Sequence, residues 1–166
     1  MDQLHVLSRL LQLAALTAGV CLSVRSASAQ DFNSDGVDDT VIGVPYEGVA
    51  DAGDRGRVSL EAGAVGVVYG TSTAGATPHS QHWTLASDGI PGSPQAGDHF
   101  GFAVAWGRFN NDSYWDLAIG IPGRDVDGIA DAGSVLIIHG SKDGLVASGR
   151  ALAADRRPRM ARRHRR

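Results

Sequence analysis

Cysteine is all but missing from this chain of 166 residues: Cys21 is the only thiol, so no disulfide framework can hold the fold. Lysine is almost absent as well. From Asp31 to Gly149 sixteen Asp and Glu side chains face only Arg55, Arg57, Arg108, Arg124 and Lys142, a balance of −11. A field of that sign repels nucleic acid and attracts cations. Sustained 3.6-residue periodicity is lacking beyond the first thirty residues, which excludes a helical fold. The signatures of catalysis are missing too. Ser72 lies in Gly70-Thr71-Ser72-Thr73-Ala74-Gly75, which is no nucleophile elbow, and His79, His82, His99 and His139 fall at no metal-ligand spacing. The chain reads as non-enzymatic, with structural histidines.

What is abundant is glycine, 22 residues, in Gly/Asp/Ser turns that separate short Val/Ile/Leu runs. That pattern predicts an all-β protein. The N-terminus differs. Residues 1–29 read as a secretory signal, with an apolar run from Leu10 to Val24 and the small-residue site Ala27-Ser28-Ala29. The reading implies a secreted, extracellular protein that keeps no membrane span once the signal is removed.

The most informative stretch follows at once. Asp31-Phe32-Asn33-Ser34-Asp35-Gly36-Val37-Asp38-Asp39 places oxygen side chains at positions 1, 3 and 5, a glycine at 6 and a carboxylate at 9. Ca²⁺ takes about six to eight oxygen ligands, and a short loop wraps it only by turning sharply near its sixth residue. Gly36 permits that turn, since it reaches positive φ without strain. The expected ligands are Asp31, Asn33, Asp35 and Asp39, with the carbonyl of Val37 and water completing the shell. An EF-hand is excluded because position 12 is Ile42, and Thr40 to Val44 is β-branched and bounded by Pro45.

The phrase occurs twice. Arg108 to Pro122 lies over Asp31 to Pro45 at an offset of 77, and Ala132 to Gly140 lies over Ala62 to Gly70 at an offset of 70. The seven extra residues of the first copy fall between Glu47 and Glu61. Strands are expected at Phe100 to Trp106, Asp116 to Gly120 and Ser134 to His139, with Trp83 to Leu85 as an outer strand. Phe100, Phe102, Trp106 and Trp83 read as core. In the second loop Arg108 stands where Asp31 stands in the first, and a guanidinium has no lone pair to offer a cation. A site made of Asn110, Asp112 and Asp116 should therefore be weak or empty, with Arg108 neutralising the carboxylates. The string Asp54-Arg55-Gly56-Arg57 reads as a solvated loop.

Phe100-Gly101 and Gly120-Ile121-Pro122 around an Asx-rich loop, with Gly43-Val44-Pro45 in the first copy, resemble the FG-GAP repeat of the integrin α-subunit β-propeller. The resemblance implies an all-β protein of about two propeller blades, part of a seven-bladed ring, with Ca²⁺ in the loops between first and second strands. It implies residues 30–97 as a first repeat and 98–149 as a degenerate second repeat; residues 150–166, which hold eight of the fifteen Lys and Arg and no strand pattern, read as a disordered basic tail. Its implied function is adhesion or binding of an extracellular protein or glycan; the alternative is a non-catalytic accessory piece of a longer secreted hydrolase. The first blade is expected to lack its inner strand and the last its outer strand, which would leave open edges for self-association.

Overall fold

The computed structural model describes residues 26–50, 57–147 and 151–153. Every regular element among them is a strand, and the two larger sheets are antiparallel and four-stranded. No helix among the described residues is long and apolar enough to cross a membrane. The first sheet is ordered β1 (Ser26–Gln30), β2 (Asp39–Val44), β5 (Ala64–Val68), β6 (Ser80–Trp83). The second is ordered β7 (Ala103–Gly107), β8 (Asp116–Ile121), β9 (Ser134–Ile138), β10 (Ala151–Ala153). A two-stranded ribbon, β3 (Val49–Ala50) with β4 (Val58–Ser59), rises from the loop where the first copy is longer. The string Asp54 to Arg57 lies mostly outside the described residues, Arg57 alone being exposed beside β4.

Two expectations about completeness are corrected. Ser26–Gln30 supplies the first sheet's inner strand, pairing Ser26 with Gly43 and Gln30 with Asp39. It sits 77 residues before β7 at both ends, so it takes the register of its counterpart, where Ala103 pairs with Gly120 and Gly107 with Asp116. The strand runs through the expected cleavage point after Ala29, while residues 1–25 lie outside the described part. Ala151–Ala153 likewise supplies an outer strand to the second sheet, with Leu152 opposite Val135. The rest of the basic tail, 154–166, lies outside the described residues. Neither segment shows a strand in its composition, because an edge strand needs only backbone donors and acceptors facing a partner.

Burial alternates along β2, where Asp39, Val41 and Gly43 are covered and the residues between them half-covered. Along β8 the phase is reversed, since Leu117, Ile119 and Ile121 are covered while Ala118 and Gly120 are half-covered. In a strand, side chains alternate between faces. The two copies therefore bury opposite faces, and they bury them against each other. Val41, Val65, Val67 and Trp83 join Leu117, Ile119, Leu136 and Ile138 in one core with Phe32 and Phe100. Phe102 and Trp106 are corrected from core to partly exposed positions, at 37% and 41%, because β7 begins only at Ala103 and is the inner edge strand.

Phe100-Gly101 ties the sheets together. The Phe100 N–H donates to the carbonyl of Ala62 at 2.8 Å, and Gly63 bridges Phe100 in parallel register. A Cβ on Gly63 would overlap the Phe100 backbone, and one on Gly101 would meet the carbonyl of Ala64 at 2.6 Å; both glycines also have φ near +84° (+85° and +83°). Just upstream, the fully buried Asp98 carboxylate accepts from the Gln95 N–H at 2.7 Å and from the Arg124 guanidinium at 3.1 Å. Arg124 also donates to the carbonyl of Ser93 at 2.7 Å.

Gly63→Ala and Gly101→Ala should each lower unfolding free energy by more than about 1–3 kcal/mol, since backbone overlap adds to the cost of positive φ. Gly75, at φ +82° with open space around it, is the control. Gly75→Ala should lose only about 1 kcal/mol in the same urea titration. Equal losses at all three would remove the close-approach argument.

Burial raises the Asp98 pKa, with the Gln95 N–H and Arg124 opposing it. A folded value above the unfolded one means a stability contribution that is present below the ordinary carboxylate range and lost as pH rises through the folded value. The melting midpoint should accordingly fall as pH is raised from about 4 towards about 7, where an ordinary Asp is already ionised. Asp98→Asn should flatten that slope, and an unchanged slope would assign it elsewhere.

Candidate metal centre

The loop between β1 and β2 is built by its own side chains. Asp31 accepts from the backbone N–H groups of Asp35 at 3.1 Å and Gly36 at 2.9 Å, one to each oxygen. Asn33 accepts from the same Asp35 N–H at 3.1 Å, and its amide donates to the Asp35 carboxylate at 3.0 Å. Asp35 in turn accepts from the Val37 N–H at 2.8 Å. These bonds curl residues 31–37 into a turn, with Ser34 at φ 59° and Gly36 at φ 86°. Asp31, Asn33 and Asp35 are brought together at the surface, while Val37 packs its side chain towards Gly70.

Asp39 plays a different part. Its carboxylate is fully buried and accepts from the Phe32 N–H at 2.8 Å and the Gly70 N–H at 2.9 Å, tying the start of the loop to the end of β5. Burial raises its pKa against those two hydrogen bonds, and the charges of Asp35 and Asp31 push in the same direction as burial. Three carboxylates thus repel one another across a short turn.

The second loop repeats this frame without its first residue. Asp112 accepts from Tyr114 N–H at 2.8 Å, and Asn110 bonds Asp112 both ways, at 2.7 and 3.1 Å. Asp116 is fully buried and accepts from Phe109 N–H at 2.6 Å and Gly140 N–H at 3.0 Å, as Asp39 does from its counterparts. The two bonds that Asp31 makes have no equivalent, because Arg108 cannot accept. Arg108 is corrected from a neutraliser of the loop: its guanidinium carbon lies 4.8 Å from the Trp115 ring centroid, and Trp106 meets Trp115 edge-on at 5.0 Å. Stacking on indole favours a guanidinium there over a hydrated position beside the carboxylates. The His139 ring, equivalent to Tyr69, places Nδ1 3.3 Å from Asp116.

The donor set of the first loop fits a hard cation: it offers oxygen alone, carries three carboxylates, and has no cationic side chain paired to it among the described residues. The carboxylates are not drawn round one point, and the described residues include no group of three or more His, Cys, Asp or Glu already set to hold a metal. Any ion would have to close the loop as it bound.

Sequence reasoning overlooked the outer clamp between the sheets. The Tyr69 hydroxyl and Gln81 Oε1 are hydrogen-bonded at 2.5 Å, the Leu145 N–H donates to Tyr69 at 2.7 Å, and the Gln81 amide donates to the Leu145 carbonyl at 2.9 Å. Burial pushes the Tyr69 pKa up to about 12. These partners are 64 and 76 residues apart in the chain, so no local spacing announces them.

No family model matches the chain. It is 31% identical over 121 residues to the phosphatidylinositol-glycan-specific phospholipase D of Rattus norvegicus, covering 73% of this chain and 13% of that protein. The Mus musculus protein of the same name is 32% identical over the same length. Integrin alpha-5 of Xenopus laevis is 36% identical over 121 residues, covering 72% of this chain and 10% of the integrin. The chain therefore spans about an eighth or less of these relatives, and it is distantly similar to one segment of each.

Asp39→Ala strips the acceptor from two N–H groups, and each buried orphan costs about 1–3 kcal/mol. In chelator, that variant should lose several times the stability that Asp35→Ala loses, because Asp35 is exposed and both its bonds, to Asn33 and Val37, lie within the turn. Chemical denaturation ranks the two, and equal losses would mean that Asp39 does not anchor the loop.

Proposed function

We propose that this chain is a secreted, calcium-stabilised β-propeller module of the FG-GAP, integrin-α-like kind, whose work is adhesion or the binding of an extracellular protein or glycan and not catalysis. The observation that carries the reading is the first loop, where Asp31, Asn33 and Asp35 gather beside the buried Asp39 with no cationic side chain paired to them among the described residues. Similarity to a segment of an integrin alpha chain supports the binding role. Asp31, Asn33, Asp35, Asp39 and the Val37 carbonyl would hold the ion. Bound there, Ca²⁺ supplies charge balance and a clip between β1 and β2, while the chain's own N–H groups keep each carboxylate oriented. The site of Asn110, Asp112 and Asp116 is the weaker one, for want of an acceptor at position 108. A second reading, an accessory segment of a longer hydrolase, is favoured by the similarity to the phospholipase D.

Calorimetric titration with Ca²⁺ should give one site per chain, lost in Asp31→Asn and in Asp35→Ala, with a melting midpoint that rises with ion concentration as linkage requires. Arg108→Asp should add a second site of lower affinity. No heat and no rise in midpoint in the folded wild-type chain would sink the calcium reading.

A further inference from the structure

The reversed burial phase of the two sheets has a consequence at their outer faces. The face that the first sheet uses in the core, through Val41, Gly43, Val65 and Val67, corresponds in the second sheet to Ala118, Gly120, Val135 and Ile137. That face is covered in part: Ile137 is 9% exposed, Ala118 and Gly120 are half-covered and Val135 is 40% exposed. Conversely, the face that the second sheet uses, through Leu117, Ile119, Leu136 and Ile138, corresponds in the first sheet to Thr40, Ile42, Gly66 and Val68, all half-covered. Among the described residues, each sheet thus keeps one partly covered face of the kind that its counterpart buries in the internal junction.

The loops obey the same rule. Phe32 is 0% exposed, and its carbonyl lies 2.9 Å from the place a Cβ would take on Gly140 of the second sheet. Phe109, its equivalent, is 52% exposed. The glycine equivalent to Gly140 is Gly70, which follows β5 in the first sheet and has Val37 and Asp38 nearest the place of a Cβ.

We propose that a second copy of this chain docks head to tail, the open face of its first sheet on the open face of the second sheet, with Phe109 of one copy over Gly70 of the next. The contact repeats the junction already present within each chain, so the fit is set by the repeat and needs no new geometry. It is heterologous, since the two faces differ, and such contacts close into rings when the rotation permits. Propellers close with about four to eight blades, which corresponds to about two to four copies. No charged side chain stands at the named positions of either face, so the acidic body opposes assembly only through its loops. Salt should therefore strengthen association. The surface is a sheet face and differs from the open strand edges expected from the sequence.

The test uses two blocked chains, Val135→Arg and Ile42→Arg, each with one open face spoiled and the other intact. By sedimentation velocity in calcium, the full chain should form a closed oligomer of two to four copies. Each variant alone should be monomeric, and an equimolar mixture should give a dimer and nothing larger, because one good junction remains between unlike partners. If either arginine lowers the melting midpoint, Ala118→Gln and Thr40→Lys form the replacement pair. A full-length chain that stays monomeric at about 100 µM, where even weak specific pairs of Kd about 10 µM associate, overturns the proposal. So does assembly by a folded single variant, or a mixture that gives no dimer.

Discussion

Close backbone approach is the constraint on which the rest of the structure depends. The turn at Phe100-Gly101 lies directly against Ala62 to Ala64, and only residues without a Cβ fit at Gly63 and Gly101. That contact sets how far apart the sheets stand. It thereby decides which side chains can reach across: Phe100 fills the space between the sheets, and the valines of the first meet the leucines and isoleucines of the second. At the outer side the Tyr69, Gln81 and Leu145 bonds fix the same spacing with polar groups. A sheet of four short strands is marginal by itself, so the pair is the smallest unit in which either has a covered face.

Within this frame the two Asx-rich loops separate two jobs that the sequence writes in one line. The carboxylate at the ninth position is an internal anchor in both copies, bonded to the loop's second residue and to a glycine at the end of a neighbouring strand. The first, third and fifth positions shape the turn and face water. The anchor is common to both loops, whereas the first position is free to change. Arg108 at the place of Asp31 removes two acceptors, and in the second loop its guanidinium lies over Trp115, which Trp106 meets edge-on.

Much of this was legible in the residues. The internal repeat places β2, β5, β8 and β9 nearly to the residue, since those strands carry the alternating or continuous apolar runs that burial demands. The paired loops and the substitution at their first position are equally visible. What could not be read were elements whose reason is a partner far along the chain. β1 and β10 are edge strands without an alternating apolar pattern, and the pair of the buried Asp98 with the half-buried Arg124 joins residues 26 apart. The expected inner strand at Phe100 to Trp106 began three residues early, because the Phe100-Gly101 motif is the turn before the strand and serves the neighbouring sheet. The ninth-position carboxylates looked like ligands and nothing else, since a one-dimensional spacing cannot show that their oxygens are already engaged by N–H groups.

The position of β1 bears on the order of events in the life of the chain. Ala27-Ser28-Ala29, small residues of the kind a signal peptidase accepts, lie in backbone that is extended and paired with Thr40 to Ile42. A peptidase needs the same stretch extended and unpaired. If the chain is cut after Ala29, as its sequence leads one to expect, processing and folding would compete for one segment: a chain that has paired β1 shields the peptide bond, whereas a cut chain gives up four of the strand's five residues and exposes the backbone of β2 along its whole inner side.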